Sequence, residues 1–249
     1  MPVQKTRMRR FFIEPAAIQG DQAVLGGGDA HHLLHVLRLK SGEEIELFSG
    51  DGLVHRARIE GGGHDRVRLH LLSTSERPPG DLAIHLAQAM LKGKKMDLVV
   101  QKCTELGVAA IHPYLSTHTK TAPAETGKIE RWRRIILESC KQCNQPWPPT
   151  CQPTRSFDQI LAQAGAYDLR LICWEQAEAP PLRRVVEGLA KPASTLVMIG
   201  PEGGFSPEEI TQARQADFLP VSLGRQTLRA ETAAIAAIAL LQYIFDDTL

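Results

Sequence analysis

From Leu82 onward the chain alternates short apolar runs with amphipathic stretches, and no other feature restricts its fold so tightly. Leu82 to Met90, Val108 to Tyr114, Leu169 to Trp174, Thr195 to Ile199 and Phe218 to Leu223 read as strands. Between them, Lys95 to Leu106 (closed by Gly107), Lys128 to Gln142, Leu182 to Leu189 and Pro207 to Ala216 read as helices, with a final one from about Thr232. Parallel strands need a crossover longer than a hairpin, and a helix is the usual one. The alternation therefore predicts an α/β fold, a mostly parallel sheet with helices on both faces.

Before this region the pattern differs. Glu76-Arg77-Pro78-Pro79-Gly80 marks a linker, and upstream of it lie short alternating segments punctuated by glycine. Ile45 to Phe48, Leu53 to Ile59 and Val67 to Leu72 read as strands. One helical pattern, His31 to Leu39, interrupts them, with Asp29 as its expected N-cap. The expected division is a small β-barrel domain over residues 1–75 and an α/β domain over 76–249. The runs Gly26-Gly27-Gly28 and Gly61-Gly62-Gly63 read as turns, since neither leads a strong strand into a helix in a nucleotide-binding pattern.

Composition adds bounds. With 43% hydrophobic and 23% charged residues, 249 residues can bury a substantial core. The formal net charge of +1 makes any nucleic-acid surface a local patch. Three basic clusters are available: Lys5, Arg7, Arg9 and Arg10 ahead of Phe11-Phe12; Lys92, Lys94 and Lys95; and Arg131, Arg133 and Arg134. The first suits RNA best, because arginines beside aromatics can combine phosphate contacts with base stacking. Five cysteines, widely spaced, together with a start that lacks the apolar stretch of a secretory leader, suggest a reduced, cytoplasmic protein. The longest apolar run, Ala233 to Leu241, is too short to span a bilayer, so no membrane role is expected. Cys140-x-x-Cys143 has no second pair of ligands, and His31 and His35 share a helical face with no evident acidic third ligand, so no metal is expected.

Two loops at strand ends carry the unusual chemistry. Gly200-Pro201-Glu202-Gly203-Gly204-Phe205 follows the apolar run Leu196 to Ile199 and precedes Ser206-Pro207-Glu208-Glu209, a capping box with proline at the first helical position. Three glycines around one acid let backbone groups approach a ligand closely, and they equally suit a tight turn. The second loop, Leu223 to Thr232, leads into a helix that is apolar on nearly every side and must be buried. Arg229 and Glu231 stand at its entry, as a catalytic pair or as a structural ion pair and cap.

Together, GPEGGFSPEE and LGRQTLRAETAAIAAIALLQ resemble the paired signature of the bacterial 16S ribosomal RNA uridine-N3 methyltransferases, of the SPOUT (trefoil-knotted) class. Lys92-Gly93-Lys94-Lys95-Met96-Asp97, the run Gln101 to Val108, Glu138 to Cys143, and His32 with Val36-Leu37-Arg38-Leu39 match as well, so the likeness covers essentially the whole chain. The resemblance implies an N-terminal PUA-like RNA-binding barrel and a C-terminal knotted domain that binds S-adenosylmethionine. It further implies a homodimer, with 16S rRNA in the small ribosomal subunit as partner. Carried over by position, the cofactor loops are Ile199, Gly200, Pro201, Glu202, Gly203 and Gly204, with Leu223, Gly224 and Leu228; the strand end at Cys173-Trp174 forms a third wall. RNA contacts are expected from Arg7, Arg9, Arg10, His32, Arg38, Lys92, Lys94 and Lys95. After Gln142-Cys143 the family often carries an arginine where this chain has Asn144-Gln145-Pro146-Trp147, so that contact is not carried over.

The chemistry so implied is methyl transfer to uracil N3, which must first lose its proton. Glu231 and Glu202 are the candidate bases, Glu202 alternatively shaping the cofactor loop, and Arg229 the group that stabilises the uracil anion. The base must also be reached outside normal pairing. Ribose 2′-O methylation is the near rival, but its knotted families carry an asparagine-containing serine-leucine motif where this chain reads Leu228-Arg229-Ala230-Glu231-Thr232. A non-catalytic ribosome-assembly factor is the rival of another class. A dinucleotide-dependent dehydrogenase lacks its GxGxxG.

Overall fold

The structure, a computed structural model, describes residues 8–63, 65–176 and 178–245. The chain forms two compact units: Met1–Pro79 with Cys140–Pro148, and Gly80–Ser139 with Pro149–Leu249.

In the first unit, β1 (Arg10–Phe12), β2 (Ile18–Gln19), β3 (Gln22–Gly26), β4 (Glu44–Phe48), β5 (Leu53–Gly62) and β6 (Arg66–Glu76) form one sheet in the order β1-β4-β5-β6-β3-β2. Alternation along β5 and β6 sends Ala57, Ile59, Val67 and Leu69 inward and Arg56, Arg58, Arg66 and Arg68 outward. Phe11 from one edge strand and Ala23 and Leu25 from near the other share a single apolar cluster, so the sheet curls around its own core. The helix expected at His31–Leu39 starts and ends earlier. It comprises α1 (Gly27–His31), continued by a π turn over His32–Val36. Asp29 is therefore not the N-cap; Gly26 is. The Asp29 carboxylate sits in the first helical turn and pairs with Lys141 Nζ at 2.6 Å. Asn144 and Trp147, where the resembled family often has arginine, also pack within this unit. Trp147 Nε1 donates to the Arg77 carbonyl at 2.9 Å, and Arg77 donates to the carbonyl of Asn144.

The second unit follows the alternation. Its elements are β7 (Ala83–Ala89), α2 (Lys95–Glu105), β8 (Ala110–Leu115), α3 (Thr126–Cys143, whose last residues belong to the first unit), β9 (Thr150–Cys151), β10 (Arg155–Ser156), α4 (Phe157–Gln163), β11 (Leu169–Cys173), α5 (Leu182–Val186), β12 (Ser194–Ile199), α6 (Pro207–Gln215), β13 (Leu219–Val221) and α7 (Ala230–Phe245). Every strand pair is parallel, in the order β10-β8-β7-β12-β11-β13, with β9 beside β8. Ala87, Tyr114, Ile172, Leu196 and Met198 point to one face, against Phe157 and Ile160 of α4 and Ile210 and Ala213 of α6. The alternate strand residues, such as Leu86 and Val197, face the other side, where α7 packs on β7, β12 and α2. The chain thus leaves the edge strand β13 and returns as α7 over the centre of the sheet. The helix from Leu182 is shorter than its pattern suggests, because Glu187 is extended and Gly188 has φ 77°. Among the described residues no helix is long and apolar enough to cross a membrane.

Candidate active site

Because all strands of the second unit run the same way, their carboxyl ends share one edge of the sheet, where ligands of open α/β sheets bind. A cleft of about 580 Å³ opens there, within the usual size range of small-molecule sites. Its walls are the end of β12 and the following loop (Ile199, Gly200, Pro201, Glu202, Gly204, Phe205) and the entry of α7 (Thr227 to Glu231). Cys173 at the end of β11, Glu175 beyond it, Ala233 of α7 and Lys95 at the start of α2 complete it. A smaller hollow adjoins it, lined by Trp174, Val221 and the loop Ser222 to Gln226, and shares Cys173, Glu175, Leu228 and Ala233 with it.

Local sequence explains why these loops hold their shape. The Tyr114 hydroxyl, fully buried, donates to the carbonyl of Ile199 at 2.9 Å and fixes the end of β12. Burial and the nearby Glu209 keep that phenol well above its ordinary pKa, so it remains a donor. Beyond the loop the expected capping box is formed: Ser206 Oγ accepts from Glu209 N, and the Glu209 carboxylate accepts from Ser206 N. The same carboxylate accepts from Thr117 N at 2.9 Å, tying in the loop after β8. From that loop His118 Nδ1 donates to the carbonyls of Gly203 and Gly204. A Cβ on Gly203 would lie 2.9 Å from that of His118, so this glycine is required by the neighbouring loop; Gly203 does not line the cleft. Gly204 does, with φ +69°, and a Cβ there would meet Glu175 Oε1 at 2.6 Å.

The three charged candidates differ sharply. Glu202 is exposed; its Oε1 accepts from Lys95 Nζ at 3.0 Å and from Lys92 N at 3.2 Å. Partial burial opposes its ionisation, yet the hydrogen bonds from Lys95 and the loop amides outweigh this and hold the carboxyl below the ordinary glutamate range. Glu231, in the first turn of α7, is only 8% exposed, and its Oε2 is buried without a hydrogen-bond partner. Arg229 lines the same cleft and is exposed. No ion pair joins Arg229 to Glu231 among the described residues, so the structural ion pair that their spacing allowed is not formed.

The residues expected to meet RNA are spread more widely. Lys92 and Lys94 are exposed on the loop ahead of α2, and Lys95 reaches the cleft. In the first unit Arg9, His32 and Arg38 are exposed. Arg7 lies outside the described residues. Arg10 requires correction: β1 pairs with β4 and lays its guanidinium 4.9 Å from the Phe48 ring centroid and 4.0 Å from Glu46, with 2% of the side chain exposed. It cannot reach a nucleic acid from there. Sequence reading missed Glu175, Phe205 and Thr227 as cleft walls. For Glu175 the sequence offers a single acid just beyond the carboxyl end of a strand, too little to form a motif. Among the described residues no group of three or more His, Cys, Asp or Glu is placed to hold a metal ion.

Comparison with known proteins fits this geometry. The model of the RNA methyltransferase domain matches residues 78–242, and that of the RNA methyltransferase PUA domain matches residues 25–72. The chain belongs to the RNA methyltransferase family. Ribosomal RNA small subunit methyltransferase E of Synechocystis is 33% identical over 96% of this chain and 78% of its own length. The protein of the same name from Bacillus subtilis is 28% identical over 95% of this chain and 96% of its own. Among solved structures, the Neisseria gonorrhoeae ribosomal RNA small subunit methyltransferase E bound to S-adenosyl methionine has a TM-score of 0.84 at 31% identity, covering 96% of this chain and 98% of that one. The α/β sheet flanked by helices and the separate curled sheet are thus the architecture of this RNA methyltransferase family, the class expected from the two loops.

Proposed function

We propose that this enzyme methylates N3 of one uridine in 16S rRNA of the small ribosomal subunit, with S-adenosylmethionine as donor, in the cytoplasm and as a homodimer. The observation that carries the reading is the buried, unpartnered Glu231 oxygen at the cleft that also holds Arg229. A buried carboxylate oxygen without a partner costs about 1–3 kcal/mol or more, and a substrate N–H would relieve it. The relatives' names supply the RNA.

The cleft fits the cofactor in size and donor set. Ile199, Gly200, Pro201, Glu202 and Gly204 would hold it on one side, Leu223, Gly224 and Leu228 on the other. When bound, S-adenosylmethionine supplies an electrophilic methyl on sulfonium. Glu231 then takes the N3 proton of uracil, leaving negative charge on the ring that Arg229 stabilises. A base works best when it can accept a proton at the operating pH. Glu202, held ionised by Lys95 and loop amides, is the weaker base, and it serves to clamp the cofactor loop.

Lys95 at the cleft, Lys92 and Lys94 on the loop ahead of α2, and Arg9, His32 and Arg38 on the PUA-like unit are the proposed RNA contacts, with Arg7 among them by sequence alone. Residues 1–75 act as the RNA-binding part and 76–249 as the catalytic part. The dimer reading rests on α7, where Leu240, Ile244 and Tyr243, the last 74% exposed, form an apolar stripe. To test the reaction, purified enzyme is given methyl-labelled S-adenosylmethionine and small subunits from cells that lack the enzyme, and the rRNA is digested to nucleosides. Label in 3-methyluridine is expected; label in a 2′-O-methylnucleoside, or none, overturns the proposal.

A further inference from the structure

We infer that Glu175 reads the ribose of the cofactor, its carboxylate accepting hydrogen bonds from the 2′ and 3′ hydroxyls; this rests on the proposal that the cleft binds S-adenosylmethionine. The two hollows at the sheet edge are chemically unlike. The larger one alone contains Glu231 and Arg229, so the end of the cofactor that bears the reactive methyl belongs there. The smaller one alone contains the aromatic Trp174 and the aliphatic Val221 and Leu223, together with Ser222 and Gly224 to Gln226 of the loop, a mix of apolar and polar surface that suits a flat purine with hydrogen-bonding edges. In adenosylmethionine the ribose stands between the purine and the sulfur. Whatever lines both hollows therefore faces the ribose.

Four residues line both: Cys173, Glu175, Leu228 and Ala233. Of these only Glu175 carries a strong hydrogen-bond acceptor. Its carboxylate makes no hydrogen bond or ion pair among the described residues, unlike that of Glu202, which is tied to Lys95. It is also positioned. Glu175 is the second residue beyond β11, and Trp174 N donates to the carbonyl of Val221 at 2.9 Å, which fixes the chain one residue earlier. Gly204 leaves room for it, because a Cβ at that position would stand 2.6 Å from Glu175 Oε1. A carboxylate is suited to a vicinal diol, since its two oxygens can each accept one hydroxyl proton.

The test is calorimetric binding with the full chain, using S-adenosylmethionine, S-adenosylhomocysteine and 2′-deoxy-S-adenosylhomocysteine. The wild type should bind the deoxy ligand about tenfold to a hundredfold more weakly than its parent, the scale of one hydrogen bond to a charged group. Glu175→Ala should weaken S-adenosylmethionine and S-adenosylhomocysteine by a similar factor, and should bind the deoxy ligand within about threefold of its parent. Glu175→Gln, which keeps an acceptor, should fall between. Three results would overturn the inference: a wild type indifferent to the 2′ hydroxyl, a Glu175→Ala variant that still discriminates as the wild type does, or a loss confined to the sulfonium form, which would place the carboxylate against the cofactor's positive charge. A wild type that binds neither parent ligand would overturn the cofactor reading, and this inference with it.

Discussion

At the residue scale the site sets two glutamates apart by their surroundings. Glu231 is enclosed at a helix entry with one oxygen unpartnered, whereas Glu202 is exposed and held by Lys95 and Lys92 N. Groups that act mainly in the transition state change the rate of the chemical step and leave ground-state affinity nearly intact. Glu231→Gln and Arg229→Ala should each slow single-turnover methylation about a hundredfold or more, with affinity for S-adenosylmethionine changed less than about tenfold. Raising the pH should partly restore Glu231→Gln, because more uracil is then already ionised. Wild-type rates in a folded Glu231→Gln would remove that residue from the mechanism. Glu202 should behave in the opposite way: Glu202→Gln and Lys95→Met should each weaken cofactor binding while leaving the rate at saturating cofactor near wild type. The double variant should be little worse than either single one, since both break the same bond. Additive losses would show that the two side chains act separately.

At the scale of elements, legibility followed the length of the pattern. β12, its glycine loop and α6 could be read from sequence because an apolar run, a glycine cluster and a capping box stand in succession. β2, β9 and β10, two residues each, are too short to show a period, and β1 at three residues overlaps the basic cluster that precedes Phe11-Phe12. That is why Arg10 was expected at a surface: its burial over Phe48 depends on pairing with β4, more than thirty residues away in sequence. Glu175 escaped for another reason, since one acid after a strand forms no motif. The strands β7 and β8 also carry a pH dependence. His85 Nδ1 lies 3.3 Å from His112 Nε2, with the Tyr167 hydroxyl beside both and Arg155 nearby. Burial first, then the charges of His85 and Arg155, pushes His112 down to about 4, and burial lowers His85. A depressed folded-state value means that the unfolded chain takes up the proton first. Stability should therefore be full above about pH 6.5 and fall toward pH 4, by at most about 3 kcal/mol from His112 and less where solvent screens it. Urea midpoints against pH should show this slope, and His112→Gln should flatten it; an unchanged slope would contradict the assignment.

On the scale of the whole molecule, the sequence made the second unit readable through its alternation, and the first less so. The recruitment of Cys140–Pro148 into the first unit, through contacts such as Trp147 with Arg77, has no local signature. Assembly is a property of this scale too. With Tyr243, Leu240 and Ile244 exposed on α7, sedimentation at micromolar concentration should give a dimer of the 27.4 kDa chain, and Tyr243→Asp should shift it toward monomer. A wild-type monomer would refute that reading of α7. The central claim is the reaction on ribosomal RNA, and mass mapping of methylated nucleotides in 16S rRNA from cells with and without this gene tests it most directly. One N3-methyluridine should disappear without the gene and return when the wild type, but not Glu231→Gln, is supplied; an unchanged methylation map, or loss of a 2′-O-methyl group instead, would rule this reaction out.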